Sequence, residues 1–178
     1  MSEDRQRAIT MLCAALELEE KGKAFYEKAQ AASRNPLGRE IFRTLVEDEI
    51  VHRKRLQTIY DSLLKEKGWQ EDWQHQSCPV QDWGTVFRDL AARFSPGGTA
   101  EAGDLEAIEM AREFEARSIA FYQDHLAQAA DPLEQAFLEQ MVREEKSHYQ
   151  ALQDTHYYLT DPEGWFMEKE RAGLEGAG

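Results

Sequence analysis

Apolar side chains recur at steps of three and four residues over four stretches of the chain, the spacing that places them on one face of an α-helix. Each pair of stretches is separated by an Asx-Pro break, Asn35-Pro36 or Asp131-Pro132. Proline ends a preceding helix and is well tolerated in the first turn of the next one. The pattern therefore predicts an all-α chain with four long helices, at about 9–33, 37–67, 104–129 and 133–159.

The region between the second and third stretches, about 69–103, is less regular. An amphipathic pattern between Phe87 and Phe94 predicts one short helix there, ahead of a Ser-Pro-Gly-Gly break. The region is long enough to return along a helical bundle, so we expect two antiparallel hairpins joined by a crossover. With 160–178 as a C-terminal tail, residues 1–178 form a single domain of ordinary size.

The second half of the chain repeats the first at a constant offset (115 − 19 = 96). A repeat of this length, present in two copies, fits a pseudo-symmetric four-helix bundle better than a repeat array. The pairs that keep the offset are Glu19 and Glu115, Tyr26 and Tyr122, Pro36 and Pro132, Glu49 and Glu145, and His52 and His148.

Each repeat places charged residues on its apolar faces, a single glutamate on the first helix and a Glu-x-x-His pair on the second. The spacing of three stacks both side chains of a pair on one helix face. Four carboxylates in a core are prohibitive unless they are neutralised, and two divalent cations supply the matching charge. This combination holds metal pairs in ferritin-like bundles. The predicted ligands are Glu19, Glu49, His52, Glu115, Glu145 and His148.

Two further pairs of residues beside these ligands each have two interpretations. Tyr26 and Tyr122 follow the single glutamates by seven residues, so their hydroxyls either hydrogen-bond ligand carboxylates in a catalytic supporting role or belong to ordinary core aromatics. Asp48 and Glu144 directly precede the Glu-x-x-His glutamates. They either accept a hydrogen bond from a ligand histidine across the bundle or lie on solvated faces.

At these residues the chain resembles the rubrerythrin-like branch of the ferritin-like superfamily. The resemblance rests on Glu19-x-x-Gly-x-x-Phe-Tyr26, Glu49-x-x-His52 and their counterparts 96 residues later, and it spans all four helices. It implies a ferritin-like bundle with a carboxylate-bridged di-iron centre that reacts with hydrogen peroxide or dioxygen. In that scheme Glu49 and Glu145 bridge the two irons, and the two single glutamates are terminal ligands. The ligand types also accept manganese or zinc.

Two features differ from rubrerythrins proper. Those proteins carry a rubredoxin-type domain with four cysteine ligands, whereas this chain has two cysteines, Cys13 and Cys78. We therefore expect electrons to come from an external donor protein or from ferrous iron. Rubrerythrins also carry an additional glutamate where this register places Ser118, the counterpart of Gly22. We expect no ligand switching there, and an open pocket for a small oxidant beside these two small residues.

Three functions are compatible with the predicted ligands. The first is a di-iron oxidoreductase that reduces hydrogen peroxide or dioxygen. The second is an iron-handling ferroxidase or iron-storage accessory protein, in which ferrous iron is itself the substrate. The third is a metal-binding helical scaffold without turnover, since metal binding contributes directly to folding.

Charge and surface composition limit the partners. A formal net charge of −13 argues against nucleic acid and anionic membranes. The start of the sequence lacks the basic and apolar regions of a signal peptide, so we expect a cytoplasmic protein. Aromatic residues in the crossover and tail need burial, either in a homodimer, which we expect, or against their own bundle. These are Trp69, Trp73, Trp83, Trp165 and Phe166.

Overall fold

The computed structural model describes residues 3–78, 83–93 and 102–175, and it contains no β-strand in these ranges. The all-α prediction is confirmed. The elements are α1 (Glu3–Ala32), α2 (Pro36–Leu64), a short 3-10 helix (Asp72–His75), α3 (Trp83–Arg93), α4 (Ala102–Leu126), α5 (Pro132–Thr160) and α6 (Pro162–Glu175). None of the helices within the described ranges is both long and apolar enough to cross a membrane.

The two turns that the Asx-Pro breaks predict are built in the same way. Asn35 is the N-cap of α2, and its side chain accepts hydrogen bonds from the backbone N–H groups two and three residues later, at 2.9 and 3.2 Å. Asp131 caps α5 with the same two bonds, at 2.8 and 3.3 Å. In each helix a proline occupies the first turn, where its missing N–H costs nothing. These short capped turns fold α1 back on α2 and α4 back on α5.

The four long helices form a bundle of two hairpins. Within each hairpin the helices pack along their length, and the hairpins meet through α1 against α4 and α2 against α5. Helices α3 and α6 pack on α5, and the 3-10 helix packs on α2. The crossover and the C-terminal segment therefore cover the face of the bundle that α2 and α5 present.

Some boundaries differ from the predicted ones. Helix α2 ends at Leu64 rather than near residue 67, because Glu66 and Gly68 adopt left-handed backbone conformations with φ of 62° and 73°. The predicted C-terminal tail contains a further helix, α6. This helix is held by Trp165, whose ring lies 5.2 Å from that of Phe87 and 5.6 Å from that of Tyr158. The Asp-Pro break before α6 indicates the end of a helix, so the sequence pattern did not predict that another helix follows it.

The apolar core consists of two clusters separated by a polar layer. One cluster contains Leu12, Leu56 and Phe137, and the other contains Phe42 and Leu152. On all four long helices, the predicted ligands fall in sequence between residues of the first cluster and residues of the second. The polar layer is thus enclosed by hydrophobic side chains at both ends, which keeps bulk water away from it.

The tryptophans of the crossover are buried against their own bundle. Trp69 and Trp73 pack on Phe137, with ring centroids 6.0 and 5.3 Å away, and neither exposes more than 9% of its surface. Trp83 packs on His148 in the same manner, at 5.6 Å. Of the five aromatics that suggested a homodimer, only Phe166 is substantially exposed, at 37%. A homodimer remains a prediction, and burial of these tryptophans no longer argues for it.

Candidate metal centre

The six predicted ligands converge in the polar layer of the bundle. Helices α1 and α4 each contribute one glutamate, and α2 and α5 each contribute a Glu-x-x-His pair. Each of the six exposes at most 2% of its surface. The helical spacing explains the convergence, because these residues lie on the same faces as the core side chains above and below them. The residues are Glu19, Glu49, His52, Glu115, Glu145 and His148.

Their donor atoms form two overlapping groups, each with all atoms within 4.8 Å of one another. One group contains Glu19, Glu49 and His52, and the other contains Glu49, Glu115, Glu145 and His148. Glu49 belongs to both groups. A carboxylate shared in this way is placed to bridge two metal ions.

The two histidines present their Nδ1 atoms to the carboxylates. His52 Nδ1 lies 3.1 Å from Glu19 Oε2 and 3.2 Å from Glu145 Oε1. His148 Nδ1 lies 3.7 Å from Glu115 Oε1 and 3.6 Å from Glu145 Oε2. Glu145 therefore directs one carboxylate oxygen toward each histidine. Glu49, in turn, belongs to both donor groups. The rings themselves stack at 5.5 Å.

The outer Nε2 atoms of the histidines contact carboxylates from the opposite hairpin. His52 Nε2 lies 3.0 Å from Glu144 Oε2, and His148 Nε2 lies 3.0 Å from Asp48 Oδ2. Asp48 is fully buried, and the Glu144 side chain is 16% exposed. The interpretation in which Asp48 and Glu144 support the histidines therefore matches the structure, and the solvated interpretation does not. Such contacts fix the ring orientation and make the inner nitrogen a better ligand.

Two tyrosines also contact carboxylates of the opposite hairpin. The Tyr26 hydroxyl donates a hydrogen bond to Glu115, and the Tyr122 hydroxyl donates one to Glu19. Both rings are completely buried. Burial, together with the neighbouring carboxylates, raises the pKa of both tyrosines well above the usual value, so the hydroxyls stay protonated and act as donors.

The carboxylates do not all favour the ionised form in the metal-free protein. Burial, assisted by the charge of Glu145, raises the pKa of Glu115 to about 8. Burial and the neighbouring Glu19 raise the pKa of Glu49 well above its usual value. Burial also opposes ionisation of Glu145, but the adjacent imidazoles of His148 and His52 hold its pKa well below normal. Without a metal, protons on Glu115 and Glu49 therefore neutralise part of the negative charge of the layer.

A metal pair fits this donor set. Glu49 Oε2 and Glu115 Oε2 are buried without a hydrogen-bond donor, an arrangement that is costly unless a cation binds there. Four carboxylates and two imidazoles are ligands that suit iron, manganese or zinc. Both observations agree with the predicted di-metal site.

Comparison with known proteins identifies the family of the chain. A family model of rubrerythrin matches residues 10–156, which include all six candidate ligands. The chain belongs to the rubrerythrin family. No curated protein and no solved structure gave a significant match.

Members of the rubrerythrin family typically bind iron, so the chain is assigned to a family of di-iron proteins.

The prediction of an open pocket beside Gly22 and Ser118 is wrong. A Cβ atom at Gly22 would lie 2.7 Å from Phe114 Cε1 and 3.4 Å from Glu49 Oε1, so the Phe114 ring already fills this space. Ser118 is also buried, at 2% exposure.

Among the described residues, a groove opens on the face made by α2, α3 and α5. The groove has a volume of about 200 Å³, and its lining includes His148, Asp48 and Glu144. Its other lining residues are Trp83, Gln140, Arg143 and Ser147. The Trp83 indole donates a hydrogen bond of 3.3 Å to Asp48 and forms one wall of the groove. The groove therefore lies directly outside the residues that contact the histidines.

Three residues at the centre did not emerge from the sequence. Cys78 groups with His52 and Glu144 as possible metal donors, and its hydrogen bond helps to raise the pKa of His52 against the effect of burial. Arg55 contacts Glu144, and Trp83 contacts Asp48. Arg55 follows His52 by one helical turn, so the helical spacing already places it on the same face as the ligand. Cys78 and Trp83 lie in the crossover, whose register no periodic pattern fixed.

Proposed function

We propose that this rubrerythrin-family protein binds two iron ions through its six central residues and reduces hydrogen peroxide or dioxygen. Electrons would come from an external donor protein or from ferrous iron. The observation that carries the proposal is the convergence of four buried carboxylates and two imidazole Nδ1 atoms, with oxygens of Glu49 and Glu115 left without hydrogen-bond donors.

The geometry supports distinct roles for the ligands. Glu49 is common to both donor groups, and Glu145 directs one oxygen toward each histidine, so these two would be the bridging ligands of a bound metal pair. Glu19 and Glu115 each belong to one group and would be terminal ligands. Bound as a ferrous pair, the metals would supply the two electrons that, with two protons, convert hydrogen peroxide into two water molecules.

The chain's own residues hold this arrangement in place. The hydroxyls of Tyr26 and Tyr122 keep the terminal carboxylates oriented, because each donates to one oxygen and leaves the other for a metal. Asp48 and Glu144 fix the histidine rings from outside. The two apolar clusters exclude bulk water, which strengthens every electrostatic interaction within the layer.

Iron handling is the second candidate. The groove presents Glu144 and Ser147 at the surface side of the centre, and oxygen atoms of this kind suit a hydrated ferrous ion. Ferrous iron would then be a substrate that is oxidised and passed on, rather than a resident cofactor.

The test is anaerobic reconstitution with ferrous iron, metal counting, and stopped-flow absorbance after mixing with peroxide or dioxygen. Glu49→Ala and Glu145→Ala should lose both metal and oxidation. Glu47→Ala is the matched control, because Glu47 is a half-buried neighbour whose carboxylate pairs with Arg43 outside the centre.

The outcomes separate the candidate functions. Rapid oxidation of two bound irons, followed by donor-dependent turnover, supports the oxidoreductase. Continued iron uptake beyond two equivalents supports iron handling. Stable binding without oxidation indicates a structural metal site. Equal metal content in wild type and both glutamate variants would reject a metal centre at these residues.

A further inference from the structure

The two halves of the centre are related by the sequence repeat, but the groups behind the two histidines differ. At the constant offset the counterpart of Arg55 is Ala151. Arg55 is 4% exposed, donates a hydrogen bond to Glu144 and donates another to the backbone oxygen of Gln76. One half therefore carries a buried cation where the other half carries a methyl group.

This difference changes the carboxylate that each histidine contacts. Glu144, behind His52, is shared with Arg55 and also accepts a hydrogen bond from Gln140. Asp48, behind His148, accepts from the Trp83 indole, and within the described residues no lysine or arginine pairs with it. Each outer carboxylate thus contacts the Nε2 atom of its own histidine, but only Glu144 is paired with a cation.

The charge difference acts on the metal through the imidazole. A carboxylate on the outer N–H makes the inner nitrogen more basic and strengthens its bond to a metal. Arg55 neutralises Glu144 and adds a positive charge behind His52, and both effects disfavour a cation at that side. Asp48 is fully buried and has no such cation beside it among the described residues, so nothing of this kind opposes a metal ion on the His148 side.

We infer that the two metal positions are inequivalent, that the position at His148 fills first, and that Arg55 sets the difference. This inference rests on the proposed function only in requiring that the centre binds two metals. The position at His52 is then the more weakly held and the more readily exchanged one. Arg55 acts as a positioning residue, through Glu144 and His52, rather than as a ligand.

The experiment is a calorimetric titration of the metal-free protein with Mn²⁺ alone, which reports binding and not turnover. Partners behind a metal-bound histidine typically change affinity by about 10- to 100-fold, so the wild type should show two steps separated by about that factor. Arg55→Ala, which copies the other half, should bring the two affinities within a few-fold of each other. Arg55→Lys should keep them apart because it keeps the charge.

Two further variants identify the positions. His148→Ala should lose the tighter step, whereas His52→Ala should retain it.

Arg55→Met provides a second neutral variant that keeps a long side chain in place, should Arg55→Ala not fold. Equal steps in the wild type, unchanged separation in the folded neutral variants, or loss of the tighter step in His52→Ala would overturn the inference while leaving the di-metal centre intact. Absence of any Mn²⁺ binding by the wild type would reject both.

Discussion

Replacing Tyr122 with phenylalanine should weaken the metal centre while leaving the packing of the core almost unchanged. The Tyr122 ring is completely buried and lies edge-on to Phe121 at 5.2 Å, a contact that phenylalanine can keep. Only the hydroxyl is lost, and with it the hydrogen bond to Glu19. The substitution therefore isolates the function of one buried donor.

The size of the effect follows from the kind of bond. A hydrogen bond to a charged group contributes about 1.5–3 kcal/mol, and its loss leaves a buried carboxylate oxygen unsatisfied. For a chain of this length, each kcal/mol lowers the melting temperature by about 2–4 °C. The metal-free variant should therefore melt about 3–12 °C lower than wild type. Loss of a partner that orients a ligand should weaken Mn²⁺ binding by about 10- to 100-fold.

The assay combines thermal unfolding by circular dichroism in the presence of a chelator with Mn²⁺ titration. Tyr26→Phe should behave like Tyr122→Phe, because its hydroxyl donates to Glu115 in the other half. Tyr149→Phe is the control, since the Tyr149 hydroxyl accepts a 3.3 Å hydrogen bond from Arg112 and lies away from the centre. That control should shift the melting temperature by less than about 2 °C. If Tyr122→Phe matched the control in both measurements, the hydroxyls would have no role at the centre.

Three further predictions test the fold and its electrostatics. The pKa of Glu115, about 8 in the folded protein, lies well above its unfolded value, so the folded state binds more protons between these values. The metal-free protein should accordingly lose stability as the pH rises from 5 to 8, whereas stabilisation by Mn²⁺ should increase over the same range; thermal melts showing the opposite trends would contradict this. Gly22→Leu should lower the free energy of unfolding by about 1–3 kcal/mol, measured in urea, because its side chain would collide with Phe114. Asn35→Ala should cost about 1 kcal/mol in the same assay through loss of the α2 cap, and an unchanged midpoint would show that the cap contributes nothing.

The fold was largely predictable because its signals are local and repeated. The helical period identifies the buried faces, and each Asx-Pro break identifies a turn that the structure builds with a capped helix. The constant offset between Glu19 and Glu115, and between His52 and His148, shows which residues share a layer. These relations follow from backbone geometry, so they needed no knowledge of the crossover.

The surroundings of the centre were less predictable, because they depend on segments without a period. Trp83 and Cys78 lie in the crossover, and the sequence does not show which helix the crossover covers or in which register. The pocket expected at Gly22 was wrong for a related reason. A small residue opens space only if no neighbour fills it, and Phe114 fills it from another helix.

By itself, the sequence determined the all-α bundle, the two hairpins and the six residues that meet in its middle, because periodicity and repetition constrain the backbone directly. Only the tertiary structure decided what stands behind each histidine, where the groove opens and how the aromatics are buried. Those features arise where side chains from distant segments compete for the same space and charge. Arg55 shows the distinction, since its buried position is evident from helical spacing, while its effect on His52 depends on Glu144 from the opposite hairpin.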